Sequence, residues 1–310
     1  MYFDLDKIKE QVEQVYEEVL AFRRDLHMHP ELSEQEIRTE EKICSRLDAL
    51  QIPYQRGVAG HGVCAVIRGT TADRTVGIRA DIDALPVAEQ TELAYASLNL
   101  GVMHACGHDM HTAILLGTAA ILKQNADTLP GTVKLFFQPS EETIGGAKQM
   151  IDAGCLEDPH VENVIALHVD PMTDLGKLKF TKGCMNAATT EMELTVRGKA
   201  CHGAHPDTGI DVLPPACSIV AALQTIVSRN LAPTTPAVVT VGTFQSGTAK
   251  NVISGEAKLG GTIRALDLDV MAYLKKRVQK IAVDTAEAYG TSCEVFFEDS
   301  YPPLRNSDEL

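Results

Sequence analysis

Three of the chain's ten histidines and one of its eight cysteines fall within HACGHDMH, residues 104–111. Imidazoles and a thiol at this density suit either a transition-metal site or a cysteine nucleophile with a histidine partner. Cys106 and His108 are two positions apart. That spacing is too close for one helix face, but it suits a loop wrapped around an ion. A single thiolate could bridge two ions. Other chemistry-bearing residues follow apolar runs: Asp81 and Asp83 come after TVGIRA, Glu141 and Glu142 after TVKLFFQ, and His168 near the end of NVIALHV. Each has a plain structural explanation. An aspartate after a strand is a common turn former, paired glutamates suit a helix N-terminus, and a lone histidine is often a hydrogen-bonded core residue. Their coincidence at one sheet edge favours a divalent metal site. One glutamate of the pair could then bind metal while its neighbour takes a proton from water. A cysteine hydrolase built on Cys106 with His104 or His111 is the competing scheme. It leaves the carboxylates without a task.

The elements that must position these groups are readable from periodicity. Helical spacing covers 7–28 and 34–50, with Ser33 as an N-cap and Glu36 in capping-box spacing. Apolar runs at 62–69, 75–80, 132–138 and 163–169 read as buried strands, with helices at 109–125 and 145–153. Strands alternating with helices predict a mostly parallel sheet flanked by helices, with ligands beyond the strands' carboxyl ends. Cys106, His108 and Asp109 precede a helix and can face that edge. The pattern changes near residue 184. Strand 190–198, helix 210–229, strands 237–245 and 256–266, helix 269–289 and strand 293–298 spell β-α-β-β-α-β, a ferredoxin-like domain. The fold class is therefore α/β: the first part of a catalytic domain over 1–183, a small domain over 184–298 and, in 299–310 with Pro302 and Pro303 as a linker, the expected start of a return to the catalytic domain.

Composition excludes several classes. A net charge of -14 and a pI of about 5.1 speak against a nucleic-acid partner. No apolar run is long enough for a membrane span, and MYFDLDKIKE lacks the apolar region of a secretory signal, so the expected location is cytoplasmic. In that setting the cysteines read as reduced thiols, with Cys44, Cys64, Cys155, Cys184, Cys217 and Cys293 as small core residues.

The stretches RRDLHMHPELSEQE (23–36), RADIDALPV (79–87), MHACGHDMHTA (103–113), FFQPSEE (136–142), ALHVDP (166–171), GKACHGAHP (198–206), NVI (251–253) and GTIR (261–264) together resemble one family. It is the metal-dependent amidohydrolase branch of the aminoacylase/carboxypeptidase metallohydrolases. Its members include hippurate hydrolases, N-acyl-amino-acid deacylases, indole-acetyl-amino-acid hydrolases and N-acetyl-diaminopimelate deacetylases. The resemblance implies a zinc-peptidase-like catalytic domain and hydrolysis of the amide bond of N-acyl-amino acids. It implies two divalent ions per site, drawn from zinc, manganese, cobalt or nickel. By match to the family's motifs, Cys106, His108, Glu142 and His168 would be metal ligands, Glu141 the general base and Asp83 a residue orienting a ligand. His202, in the small dimerisation and lid domain, would reach a partner's active site in a homodimer and steady the oxyanion. Asn251 and Arg264 would contact the substrate carboxylate. The chain departs from the family in one respect: relatives return to the catalytic domain and supply a last ligand histidine, whereas no histidine follows His205 here. The expectation is a fragment of an active hydrolase. A truncated pseudoenzyme and a dipeptidase or carboxypeptidase of the same clan are the alternatives.

Overall fold

The computed structural model describes residues 4–143 and 145–309. Residues 1–3 of the N-terminal stretch, Ile144 of SEETIGG and Leu310 lie outside the described residues. The chain divides into two compact units, Met1–Gly176 and Lys177–Leu310.

In the first unit, α1 (Leu5–Met28) is capped by Asp4, whose side chain accepts from the backbone N–H groups of Asp6 and Lys7. α2 (Ile37–Ala49) follows. β1 (Tyr54–Val58), β2 (Gly62–Arg68), β3 (Thr75–Asp81), β4 (Thr132–Gln138) and β5 (Asn163–Ala166) form one sheet in the order β1-β2-β4-β3-β5. The sheet is mixed. β3 pairs parallel with β4 and with β5, but β2 runs antiparallel to both β1 and β4. The expected mostly parallel arrangement thus holds on one side only, because β1 and β2 are joined by a tight turn rather than a helical crossover. β4 is buried along its whole length, which is why TVKLFFQ reads as a nearly continuous apolar run. Its one cation, Lys134, donates to the carbonyl of Glu157 at 2.6 Å. α3 (His108–Gln124) packs on α1, where a Cβ at Gly117 would stand 2.9 Å from Val19 Cγ2. Phe137, Leu135, Ile43, Leu47 and Leu115 share the core between sheet and helices, each contributing roughly 1.5–3 kcal/mol on burial. α4 (Gly146–Asp152) lies between β4 and β5 in sequence.

Two expectations are corrected here. Ser33 does not cap α2; the N-cap is Glu36, which makes no side-chain cap bond, and Ser33 Oγ donates instead to Asp83. β5 ends at Ala166 rather than 169, leaving His168 exposed beyond the strand.

The second unit contains β6 (Cys184–Asn186), β7 (Ala188–Arg197), β8 (Cys201–His202), α5 (Leu213–Asn230), β9 (Ala237–Ser246), β10 (Val252–Ile253), β11 (Glu256–Ala265), α6 (Leu268–Ala288), β12 (Ser292–Asp299) and β13 (Leu304–Arg305). The main sheet is antiparallel, ordered β12-β7-β11-β9. β11 separates β7 from β9, which gives the split β-α-β-β-α-β sandwich. β7 alternates between buried and more exposed positions, and Met192, Leu194 and Val196 meet Ile219 and Leu223 of α5 and Leu274 and Val278 of α6. Asp267 caps α6 by accepting from the N–H groups of Asp269 and Val270. Two short ladders, β8 with β10 and β6 with β13, complete the unit. All eight cysteines are free. Cys44, Cys64 and Cys155 are buried as expected of core residues, whereas Cys184 and Cys293 are only partly covered and Cys217 is exposed on α5.

Candidate metal centre

Strand register builds the site. Asp81 pairs with Gln138 across β3 and β4, and Arg79 pairs with Ala166 across β3 and β5. Three parallel strands therefore end at nearly the same height. The next residues of each chain segment, Ile82–Asp83, Pro139–Glu142 and Leu167–His168, emerge along one edge. α3 starts at that edge. Its N-cap, Gly107, has φ +92°, and a Cβ there would lie 2.4 Å from Val169 Cγ2. Glycine is required both by the left-handed backbone and by the closeness of the loop after β5.

His108 stands at the centre. It is 1% exposed, and its Nδ1 lies 3.1 Å from Asp83 Oδ1. Asp83 Oδ2 accepts from Ser33 Oγ at 2.8 Å and from the Glu142 N–H at 2.9 Å. With the Nδ1 proton on Asp83, His108 turns Nε2 outward. That nitrogen has no hydrogen-bond partner although it is buried, and it lies 3.7 Å from Glu142 Oε1, which is equally buried and unpartnered. Cys106 Sγ lies 3.4 Å from His168 Nε2, and His168 Nδ1 donates to its neighbour's carbonyl, Val169 O, at 2.7 Å. Three overlapping trios have donor atoms within 4.8 Å of one another: Cys106, His108 and His168; His108, Glu141 and Glu142; and Asp81, His108 and His111. His108 belongs to all three.

Buried polar atoms without a partner are rare and call for an explanation. Two of them facing each other, beside a thiol and a second imidazole, fit a divalent cation bound by mixed N, O and S donors. The charges agree. Burial alone would lower the His108 pKa, but Asp83, Cys106 and the Asp81 charge outweigh it and raise it to about 11. The neighbouring His108 and His168 pull the Cys106 thiol below its usual range, and the contact with Cys106 raises His168 to about 9. The site thus concentrates thiolate and carboxylate charge that a bound cation would offset. Half-buried Glu141 is held above the usual carboxylate range by desolvation and by the Glu142 charge, as suits a group that takes and returns a proton.

The structure brings together Asp83, Cys106, His108, Glu141, Glu142 and His168. Asp109 turns away from this edge: its Oδ2 forms an ion pair with Arg23, 2.6 Å from Nε, and lies 2.9 Å from His27 Nδ1 on α1. The imidazoles beside Cys106 are His168, which it hydrogen-bonds, and His108, not His104 or His111; His104 is buried and pushed down to about 4 by desolvation. In the second unit, exposed His202 pairs with Val252 across β8 and β10, and the N–H of Gly203 donates to Asn251 O at 2.8 Å. His202 and Asn251 are therefore neighbours. Arg264 sits near the far end of β11, eight residues from Glu256 and roughly 26 Å along the strand, with Nη1 donating to Thr262 Oγ1 at 3.2 Å.

Several supporting residues carried no clear signal in the sequence. Glu36 is fully buried, and its Oε1 accepts from the Ser140 N–H at 2.7 Å. Ser140 has φ +54° and opens the loop bearing Glu141 and Glu142, so Glu36 holds that loop's entry. Arg79 donates to Asp81 Oδ2 and to Gln138 Oε1, both at 2.8 Å. The polar residues of RRDLHMHPELSEQE were the available clue: His27, Ser33 and Glu36 each support a segment next to the site.

Comparison with known proteins follows the same lines. The family described as peptidase family M20/M25/M40 matches residues 77–310. The chain is 39% identical over 305 residues to an N-acyl-L-amino acid amidohydrolase of Geobacillus stearothermophilus, covering 98% of this chain and 82% of that one. It is 37% identical over 310 residues to thermostable carboxypeptidase 1 of Saccharolobus solfataricus, covering 99% and 78%. Among solved structures, a Bacillus subtilis protein described as a dinuclear metal-binding peptidase from the M20 family superposes with a TM-score of 0.83 at 35% identity, covering 96% of this chain and 77% of that one.

Proposed function

The chain belongs to peptidase family M20/M25/M40 and is a hydrolase of linear amides; from that premise we propose that its substrates are N-acylated amino acids with a free carboxylate. Cys106, His108, Glu142 and His168 would hold the metal, with two ions as the proposed occupancy, in line with the dinuclear relative. A divalent ion, when bound, lowers the pKa of water and polarises a carbonyl oxygen. Glu141 takes the proton of the attacking water and passes it to the departing amine. Asp83 keeps the His108 proton on Nδ1, so that Nε2 stays free as a donor atom. His202 is proposed to steady the oxyanion of a partner subunit's substrate in a homodimer formed through residues 184–298, with Asn251 and Arg264 reading the substrate carboxylate. The observation that carries the reading is the facing pair of buried polar atoms without a hydrogen-bond partner, His108 Nε2 and Glu142 Oε1, with Glu141 next in sequence.

A peptidase acting on dipeptides is the second reading, favoured by the 37% identity to a carboxypeptidase. A panel of N-acylated amino acids and dipeptides separates the two, run on chelator-stripped protein reloaded with zinc, manganese, cobalt or nickel. The proposal expects metal-dependent cleavage of acyl-amino acids and slower cleavage of dipeptides. Preference for dipeptides would replace it with the second reading.

A further inference from the structure

His111 invites assignment as one more ligand. It is 2% exposed and shares a trio with Asp81 and His108. It lies one helical turn beyond His108, and each ring has its Nδ1 against a carboxylate: His108 on Asp83 at 3.1 Å, His111 on Asp81 at 2.5 Å. The two differ at the other nitrogen. His108 Nε2 has no partner, whereas His111 Nε2 accepts from the backbone N–H of Val169 at 2.9 Å. A nitrogen that receives an N–H has no lone pair left for a metal, and this bond also places the ring proton on Nδ1, facing Asp81. Asp81 is occupied in turn, with Oδ1 on His111 and Oδ2 on Arg79.

We infer that His111 is a positioning residue: the relay Arg79–Asp81–His111 pins the Val169 peptide, and through it sets which nitrogen of His168 faces Cys106. Val169 links the two histidines. Its N–H is fixed by His111, and its carbonyl accepts from Nδ1 of His168, turning His168 Nε2 toward Cys106 Sγ at 3.4 Å. His168 needs such a tether because it is exposed and lies beyond the end of β5. The His111 and His168 ring centroids are 4.6 Å apart, so a shift of one ring is felt by the other. Groups that orient a ligand in this way are worth roughly 10- to 100-fold in metal affinity.

The inference rests on the proposed metal site, but its test needs no substrate. Cobalt(II) is titrated into the metal-free whole chain, and binding is followed by the thiolate-to-cobalt charge-transfer absorption of Cys106. His111→Phe, which fills the space but supports neither bond, is expected to lose roughly 10- to 100-fold in cobalt affinity. His111→Gln, whose amide oxygen can accept from the Val169 N–H, should recover part of that loss. Should His111→Phe not fold, Asp81→Asn makes the same test at constant volume, since its amide can displace the Nδ1 proton of His111. Parent-like affinity and spectrum in the folded variants overturn the inference, as do equal losses in His111→Phe and His111→Gln. A parent chain that binds cobalt yet cleaves no acyl-amino acid refutes the substrate assignment alone. A parent that binds no cobalt refutes the metal site beneath both.

Discussion

The two units carry their chemistry in opposite ways. In the first, His108, Asp81 and Asp83 are almost fully buried, Cys106, Glu141 and Glu142 are partly covered, and the buried groups are fixed by others: Asp83 by Ser33, Ser140 by Glu36, Asp81 by Arg79. In the second, His202, Asn251 and Arg264 are all exposed. The Nδ1 of His202 accepts only a local N–H, from Ala204 at 3.1 Å. A cluster locked by tertiary hydrogen bonds is preorganised before any ligand arrives. An exposed histidine on a two-residue ladder gains a chemical role only from what is brought to it. On the proposed function, the first unit would hold a cation, and the second would present groups to a partner or substrate.

The sharpest way to separate holding from reacting is Glu141→Gln. It should lower kcat roughly 10²–10⁴-fold while elemental analysis finds the metal content unchanged. Near-parental turnover would remove Glu141 from the mechanism.

His202→Ala should cost roughly 10²–10³-fold in kcat without altering cobalt affinity. Mixing it with Glu141→Gln should restore part of the activity, because one site of a mixed dimer keeps both groups. If verified mixed dimers show no recovery, the contrast between the units breaks at this point.

A smaller effect concerns buried charge in the first unit that serves only the fold. Glu40 is 4% exposed and accepts from Arg56 Nε and the Gly57 N–H, both at 3.0 Å, tying β1 to α2. Burial would raise its pKa, but the hydrogen bonds with His61 and Arg56 outweigh it and leave it lowered. A folded-state pKa below the unfolded one contributes stability above the unfolded value, and that stability is lost as pH falls through the folded value. Glu40→Gln should therefore cost about 1–3 kcal/mol in urea unfolding at pH 7, with the gap closing as the pH drops below about 4. A gap independent of pH would contradict the ionic role.

The same contrast explains what was legible in the sequence. The β-α-β-β-α-β order rests on local period, and the apolar runs at 132–138 and 237–245 declare themselves without partners, whereas the end of β5 at Ala166 did not. β1 did not, because YQRGV is a polar edge strand buried only at Val58. The site residues stood out by type and place, yet their supports did not. Ser33 and Glu36 look like a capping box from local spacing, but their actual partners, Asp83 and Ser140, lie 50 and 104 residues away. His104, His108 and His111 could not be ranked from HACGHDMH alone, since what distinguishes His111 is a backbone N–H 58 residues downstream.

The central claim is that the buried pair at His108 and Glu142 holds a divalent cation. Equilibrium dialysis of the metal-free chain and of His108→Phe against zinc, manganese, cobalt and nickel, with bound metal counted by elemental analysis, tests it most directly. Because His108 belongs to every candidate trio, the parent should bind at least one of these ions stoichiometrically and the variant should bind none at that site. Equal binding by parent and variant would contradict the claim.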